Sequence, residues 1–259
     1  MSVARAAALL RRARTAVALT GAGVSTESGL PDFRSPGGLW ADVDPLRVAS
    51  LTAFRRRPEE FYAFYRRRLS LLRRARPNPA HQALAHLERV GLLRAVITQN
   101  VDGLHQAAGS RRVLEIHGSL RHASCPRCGW RTDIAVVEEA LDAGTLPRCP
   151  RCASPLKPDV VLFEELLPPE VFAQAEQLCR EADVLLVVGS SLQVTPAAFL
   201  PRIVLEQGGQ LIIVNREPTP FDAEAAVVLR GAAGRILPAI AAQAAGGAPA
   251  AAEEDVRRN

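Results

Sequence analysis

AVALTGAGVSTESGLPDFR, residues 16–34, decides how the rest of the chain is read. It opens on an uninterrupted apolar run, 16–20, the composition of a strand buried on both faces. It then passes straight into Gly21-Ala22-Gly23. Glycines at such a junction let the backbone come close to a partner, and a following helix N-terminus attracts phosphate, as in dinucleotide-binding turns. The third glycine of the G-x-G-x-x-G pattern is missing, with Thr26 in its place. By itself the stretch fits a cofactor loop and an ordinary loop equally well.

Working outward, apolar and β-branched runs recur at 94–98, 112–116, 160–163, 184–189, 210–215 and 226–229. Several are continuously apolar, as buried parallel strands are. Helical patterns lie between them. In 78–91, Asn78 is the expected N-cap, Pro79 the first helical residue and Gly91 the stop; 168–183 is a second helix. The alternation predicts an α/β fold, a doubly wound parallel Rossmann-like sheet built from 1–38, 78–118 and 158–240. Two segments break it: 39–77, helical and arginine-rich, and 119–157, which carries four cysteines. They are expected to pack together as a smaller domain. Residues 241–259 have few large apolar side chains and read as a disordered tail.

The chain has 259 residues, 48% of them hydrophobic, enough for a sizeable core. No run approaches the roughly 20 apolar residues of a membrane span. The basic cluster near the N-terminus interrupts an apolar stretch rather than preceding it, unlike a secretion signal. A cytoplasmic protein is expected, with no membrane partner. The net charge is +5, and Lys157 is the only lysine. Abundant Arg, Ala, Pro and Gly suggest a GC-rich, bacterial genome. Arginines bunch at 55–57, 66–68 and 73–74. They read as solvated helix faces or as a basic surface that attracts acidic partners. Nothing in the pattern is a nucleic-acid module, so no direct nucleic-acid binding is expected.

Cys125 and Cys128 form one C-x-x-C, and Cys149 and Cys152 a second. This spacing predicts one zinc ion held by four thiolates, with no open position and therefore a structural role; disulfides or redox pairs are the competing reading. Cys179 falls on a helix face as a buried apolar residue.

Polar clusters follow the apolar runs at each strand end: Gln99, Asn100 and Asp102; His117; Gly189, Ser190 and Ser191; Asn215 and Glu217. In open α/β sheets, ligands bind outside the carboxyl ends of the strands. Taken with GAGVSTESGLPDFR, TQNVDGLH, HG, the paired C-x-x-C, KPDVVLF, GSS and NRE, in that order over 16–235, the chain resembles the sirtuins, the NAD-dependent protein-lysine deacylases, in their bacterial form.

The resemblance implies that NAD is a co-substrate wrapped by the long first loop. It implies that Gly21, Ala22, Gly23 and Thr26 lie along the phosphates and ribose, that Phe33 shields the nicotinamide side, and that Arg34 helps hold the cofactor. Gln99, Asn100 and Asp102 then address the nicotinamide ribose and carboxamide. Gly189, Ser190, Ser191, Asn215, Glu217 and Ala233 line the adenosine end. His117 and Asn100 are the catalytic residues. His117 is the general base that lets a ribose hydroxyl take over the acyl group, giving free lysine, nicotinamide and O-acyl-ADP-ribose. An imidazole titrates in the right range for that task. Of the other histidines, His81, His86 and His105 are expected to be structural, and His122 is a spare residue beside the zinc.

Acylated-lysine proteins or peptides are the implied partners, adding as a strand against Val160, Val161, Leu162 and Phe163 and against 192–196. The family pattern Phe-Gly-Glu is here Phe163-Glu164-Glu165. The extra glutamate removes backbone freedom and biases the groove toward basic peptides. Deacetylation is the main expected activity. Tyr65 and Arg68 have the Tyr-x-x-Arg spacing by which some sirtuins bind acidic acyl groups such as succinyl, so a broader or acidic deacylase is the alternative. An NAD-dependent ADP-ribosyltransferase is another.

Overall fold

The structure is a computed structural model that describes every residue except Met1, Arg34, Pro36, Asp42 and 247–259. The described strands are β1 (Ala16–Thr20), β2 (Ala95–Thr98), β3 (Val113–Glu115), β4 (Gly118–Ser124), β5 (Arg131–Asp133), β6 (Lys157–Val160), β7 (Val184–Val188), β8 (Gln210–Asn215) and β9 (Val227–Arg230). The α-helices are α1 (Ser2–Arg12), α2 (Pro45–Val48), α3 (Leu51–Arg56), α4 (Pro58–Arg74), α5 (Pro79–Arg89), α6 (Leu104–Ala107), α7 (Ile134–Asp142), α8 (Pro169–Glu181), α9 (Leu200–Glu206) and α10 (Ala233–Ala244).

Six strands pair in parallel in the order β3-β2-β1-β7-β8-β9. The chain walks outward from β1 to β3, then restarts at β7 on the other side of β1. β1 and β7 are buried along their whole length, and their side chains divide by alternation. Ala16, Ala18, Val184, Leu186 and Val188 pack with buried residues of α1, α5 and α10. Val17, Leu19, Leu185 and Val187 pack with those of α8 and α9. Helices thus cover both faces, the doubly wound arrangement that the continuous apolar runs predict. The gap where the strand order reverses lies between β1 and β7, and it positions everything below.

A second, antiparallel sheet has the order β5-β4-β6. Here the reading of 160–163 as one of the parallel strands is corrected. Only Val160 is in a strand, that strand starts at Lys157, and it pairs with β4. Val160 and Leu162 are apolar because they face a third core. That core joins Phe54, Phe61, Tyr62, Tyr65 and Leu69 of α3 and α4 to Leu120, Cys125, Val137, Cys149 and Leu156 of the cysteine-bearing segment. The two segments that interrupt the alternation therefore share one hydrophobic cluster.

At α5 the expected cap is present in full. The Asn78 side chain accepts the Ala80 and His81 amides, and the Asn78 amide donates back to His81 Nδ1. The C-terminal helix runs further than expected: 241–244, read as the start of a tail, completes α10, with Ala241 and Ala244 buried. Alanine is the best helix former and needs little space, so low bulk did not mean disorder here. The rest of that tail, 247–259, lies outside the described residues. Among the described residues no helix is long and apolar enough to cross a membrane.

Candidate active site

A cleft of about 1680 Å³ opens at the carboxyl ends of β1 and β7 and runs on beneath the 160–167 segment. Gly21, Ala22, Gly23, Thr26, Phe33, Gln99, His117, Gly189, Ser190, Ser191, Asn215, Glu217 and Ala233 all line it, as do Val160 to Phe163, Tyr65 and Arg68. Sequence positions more than 200 residues apart thus meet in one cavity. Arg34 lies outside the described residues.

The glycines do something more specific than clear space for a ligand. The Gly21 amide donates to the Val188 carbonyl at 3.1 Å and the Gly23 amide to the Gly189 carbonyl at 2.8 Å. A Cβ on Gly189 would lie 2.2 Å from the Val24 nitrogen, and one on Gly23 2.8 Å from the Gly189 Cα. The loops leaving β1 and β7 are therefore pressed together, backbone to backbone. Within 21–25, Val24 and Ser25 also donate inside the protein, which leaves the Ala22 N–H as the one without a partner among the described residues. An anion bound here would find that donor. Gly189 also has φ +59°, so Gly189→Ala meets both a backbone clash and a disfavoured conformation. It is expected to lower stability by about 2 kcal/mol. NAD affinity should fall at least about tenfold through the displaced loop. Thermal melting and calorimetric titration with NAD check this.

His117 follows β3 and is held from behind. Its Nδ1 lies 3.1 Å from the Gln99 carbonyl oxygen. A carbonyl only accepts, so Nδ1 carries the proton and Nε2 is left as the basic nitrogen. Burial lowers the His117 pKa below the ordinary imidazole value, against the smaller opposite pull of the Gln99 carbonyl. Gln99 is itself fixed: its amide donates to Thr20 O at 3.0 Å and its side chain to Ser190 Oγ at 2.9 Å. One residue thereby ties β1, β2 and the end of β7 to the His117 ring.

Asn100 and Asp102 line a small recess of about 40 Å³ with Ala22, Ser25, Phe33 and Arg68. Asn100 Nδ2 donates to Gly21 O and to Ser25 Oγ, at 3.2 and 3.0 Å. Ser25 Oγ donates to Asp102 Oδ2 at 2.7 Å, and Asp102 Oδ1 accepts the Leu104 amide. His81, expected to be purely structural, stands 3.4 Å from Ser25 Oγ and so completes this network as well as capping α5. His105 is buried below it, beside Thr20 Oγ1 at 2.9 Å, and burial pushes its pKa down to about 3. Ser25 and His81 are the participants sequence reading missed. Ser25 sits inside the quoted loop, but its partners come from elements more than 50 residues away.

On the opposite wall, nearly every backbone group of 160–163 is already bonded. The Val161 amide donates to His117 O, the Phe163 amide to Ala49 O, and the Phe163 carbonyl accepts from Leu51. The Leu162 amide donates to Glu165 Oε2, and its carbonyl accepts from Glu165. The Val160 carbonyl accepts from Lys157 Nζ. From the Val160 carbonyl to the Phe163 carbonyl, only the Val161 carbonyl has no partner among the described residues.

Glu164 keeps the turn a glycine would make: its φ is +73°. The left-handed conformation is disfavoured for a side chain, and it is offset by the carboxylate, which accepts the Thr52 amide at 2.8 Å near the start of α3. That bond, with Arg55 nearby, holds the Glu164 pKa below its ordinary value. Its charge is thus shared with α3 rather than offered freely to a peptide. Above the recess, Trp40 stacks on Phe33 at 5.4 Å and on Phe64 at 5.7 Å, and meets Phe163 edge-on at 6.1 Å. The Arg68 guanidinium lies 5.3 Å over the Phe33 ring.

Cys125, Cys128, Cys149 and Cys152 bring their sulfurs within 4.8 Å of one another, and none of the five cysteines is in a disulfide. A tetrahedral zinc with bonds of about 2.3 Å needs sulfurs about 3.8 Å apart. Cys125 to Cys152 is 3.4 Å and Cys128 to Cys149 is 3.5 Å, so the donor set fits a four-thiolate metal. His122 is not part of this group.

Comparison with known proteins agrees with the geometry. The Sir2 family model matches residues 21–196. An NAD-dependent protein deacylase of Thermococcus kodakarensis is 48% identical over 236 residues, 90% of this chain and 92% of that protein. An NAD-dependent protein deacetylase of Caldivirga maquilingensis is 47% identical over 234 residues, 90% of each. A solved structure of Sir2 with a p53 peptide and NAD+ superposes with a TM-score of 0.85 at 40% identity, over 92% of this chain and 96% of that one. With a family match over most of its length and relatives this similar, the chain belongs to the Sir2 family.

Proposed function

We propose that this protein is an NAD-dependent protein-lysine deacetylase that releases free lysine, nicotinamide and O-acetyl-ADP-ribose. The observation that carries the reading is the free Val161 carbonyl, with its own amide bonded to the carbonyl of His117, in the same cleft as the glycine junction. An acyl-lysine amide has one N–H to satisfy, and residues 160–163 offer one open acceptor among the described residues.

Bound NAD supplies an electrophilic ribose carbon, nicotinamide as leaving group and the hydroxyls that receive the acyl group. The chain's residues do the rest. Val161 accepts the acyl-lysine N–H and so aims the acyl oxygen. The Ala22 N–H and the loop from Gly21 to Thr26 hold the phosphates. Ser190, Ser191, Asn215, Glu217 and Ala233 hold the adenosine end. Asn100 and Asp102 shape the nicotinamide recess, which Phe33 and Trp40 screen from water. His117 takes a hydroxyl proton at Nε2, the nitrogen left basic by the bond to Gln99. Zinc in the four-cysteine site keeps the smaller core in shape.

A second reading has its own support. Tyr65 and Arg68 both line the cleft, one helical turn apart on α4. Burial pushes the Tyr65 phenol up to about 12, so it stays a neutral donor. A phenol and a guanidinium at the end of an acyl channel suit a carboxylate. Under this reading Arg68→Met lowers kcat/KM for succinyl-lysine by about 100-fold and leaves acetyl-lysine within a few-fold.

Incubation with NAD and matched acetyl- and succinyl-lysine peptides, read by mass spectrometry, tests both. Acetyl loss with O-acetyl-ADP-ribose supports the first reading, and preferential succinyl loss the second. ADP-ribose appearing on protein with no deacylation overturns them in favour of a transferase.

A further inference from the structure

Lys157 is the only lysine in the sequence; the other 31 of its 32 basic residues are arginine. It stands at the start of β6, its side chain 17% exposed, against Glu165 at 23%. A chain that places arginine everywhere else has here a compact ammonium in an enclosed position. Its Nζ is 2.9 Å from Glu165 Oε2 and donates to the Val160 carbonyl at 2.8 Å. The same Glu165 oxygen accepts the Leu162 amide at 2.9 Å.

These bonds bracket the free Val161 carbonyl. Lys157 occupies the acceptor just before it, and Glu165 occupies the donor just after it. An extended segment with several open backbone groups can pair with an added strand in more than one register, because a two-residue slip preserves the side-chain faces. Bonds to charged partners are also stronger and more directional than bonds to water. With those neighbouring groups taken, the Val161 carbonyl is the acceptor left open from 160 to 163 among the described residues.

We propose that Lys157 and Glu165 are positioning residues that set the register of the acyl-lysine substrate, by leaving the Val161 carbonyl as the only open backbone acceptor from 160 to 163 among the described residues. The inference rests on the reading of 160–163 as the substrate wall. Lys157 does not line the cleft, and Glu165 lines it beside Leu162 and Phe163 rather than contributing to the glycine junction. Their effect should therefore fall on peptide binding alone.

The test is steady-state kinetics of Lys157→Met, Glu165→Gln and Lys157→Arg in the zinc-loaded full chain, varying an acetyl-lysine peptide and NAD separately. Lys157→Met and Glu165→Gln are expected to raise KM for the peptide about tenfold or more, with KM for NAD within about twofold of wild type. Lys157→Arg, which keeps the charge and the donors, should lie closer to wild type than to Lys157→Met. Unchanged peptide KM in both neutral variants overturns the inference, as does an equal loss with both substrates. If Lys157→Met loses its zinc or melts early, Glu165→Gln and Lys157→Arg decide on the same readouts. A wild-type protein without NAD-dependent deacylation would instead overturn the underlying reading.

Discussion

His117→Ala is expected to lower NAD-dependent deacylation by about a thousandfold or more while the protein remains folded and binds NAD. The size follows from what the ring is asked to do. The Gln99 carbonyl accepts from Nδ1, so Nε2 is the only nitrogen that can take a proton, and no other histidine lines the cleft among the described residues. The ring's main anchor is that one bond, so its removal leaves the Gln99–Ser190 and Gln99–Thr20 bonds in place. Release of nicotinamide with the acyl group left untransferred would identify the lost step, measured by single-turnover mass spectrometry.

The same residue sets a pH dependence. The active form of a general base is the neutral one. Burial lowers the folded-state pKa of His117, so the neutral form persists to lower pH than for a free imidazole. Activity should therefore be flat through neutral pH and fall only as pH drops below the ordinary imidazole range, about 6.5. A kcat profile with its acid limb above that value would contradict this assignment.

The second large effect is expected from the metal site. Cys149→Ser, or a strong chelator, should bring bound zinc from one per chain to near none and unfold the smaller core before the large sheet. Structural zinc contributes about 10–16 kcal/mol to folding of isolated zinc-finger peptides, so little of the local order survives its loss. Cys125 and Cys149 are themselves buried members of the core that includes Phe61, Tyr65, Val160 and Leu162. Loss of that core frees the Val161 wall and α4 together, so deacylation should fall about 100-fold or more although no cysteine lies in the cleft. Two separate melting transitions replacing one, alongside metal analysis, check it. A single unshifted transition after complete zinc removal would show that the thiols alone hold the core.

Much of this was legible in the sequence because it depends on local chemistry. Continuous β-branched runs favour strands buried on both faces, and six of the seven such runs became the parallel strands of the large sheet. Two C-x-x-C turns can only present sulfurs in pairs, and the four came together. Polar residues placed after buried strands have one common address, the carboxyl edge, and His117, Gln99 and Ser190 meet there. By the same logic Asn78 and Pro79 determined where α5 starts.

Other features needed the tertiary structure, because they are properties of pairs distant in the chain. The run at 160–163 looks like a core strand, yet only Val160 and Leu162 face a third core, and its backbone is bonded almost completely to His117, Ala49, Leu51, Lys157 and Glu165. Nothing local in VVLF marks Val161 as the residue with an open carbonyl. Ser25 and His81 gain their roles only where two loops meet under Asn100. The glycines of GAG read as room for a ligand, whereas Gly21 and Gly23 are required first by Val188 and Gly189, so that two strand ends can touch. Glu164 in a glycine's conformation is offset by the Thr52 amide, which donates to its carboxylate from a distant part of the chain. The sequence by itself determined which elements form and which chemistry they carry. The tertiary structure decided which backbone groups remain free, because a hydrogen bond already made inside the protein is unavailable to a substrate, and only the folded chain shows which ones are made.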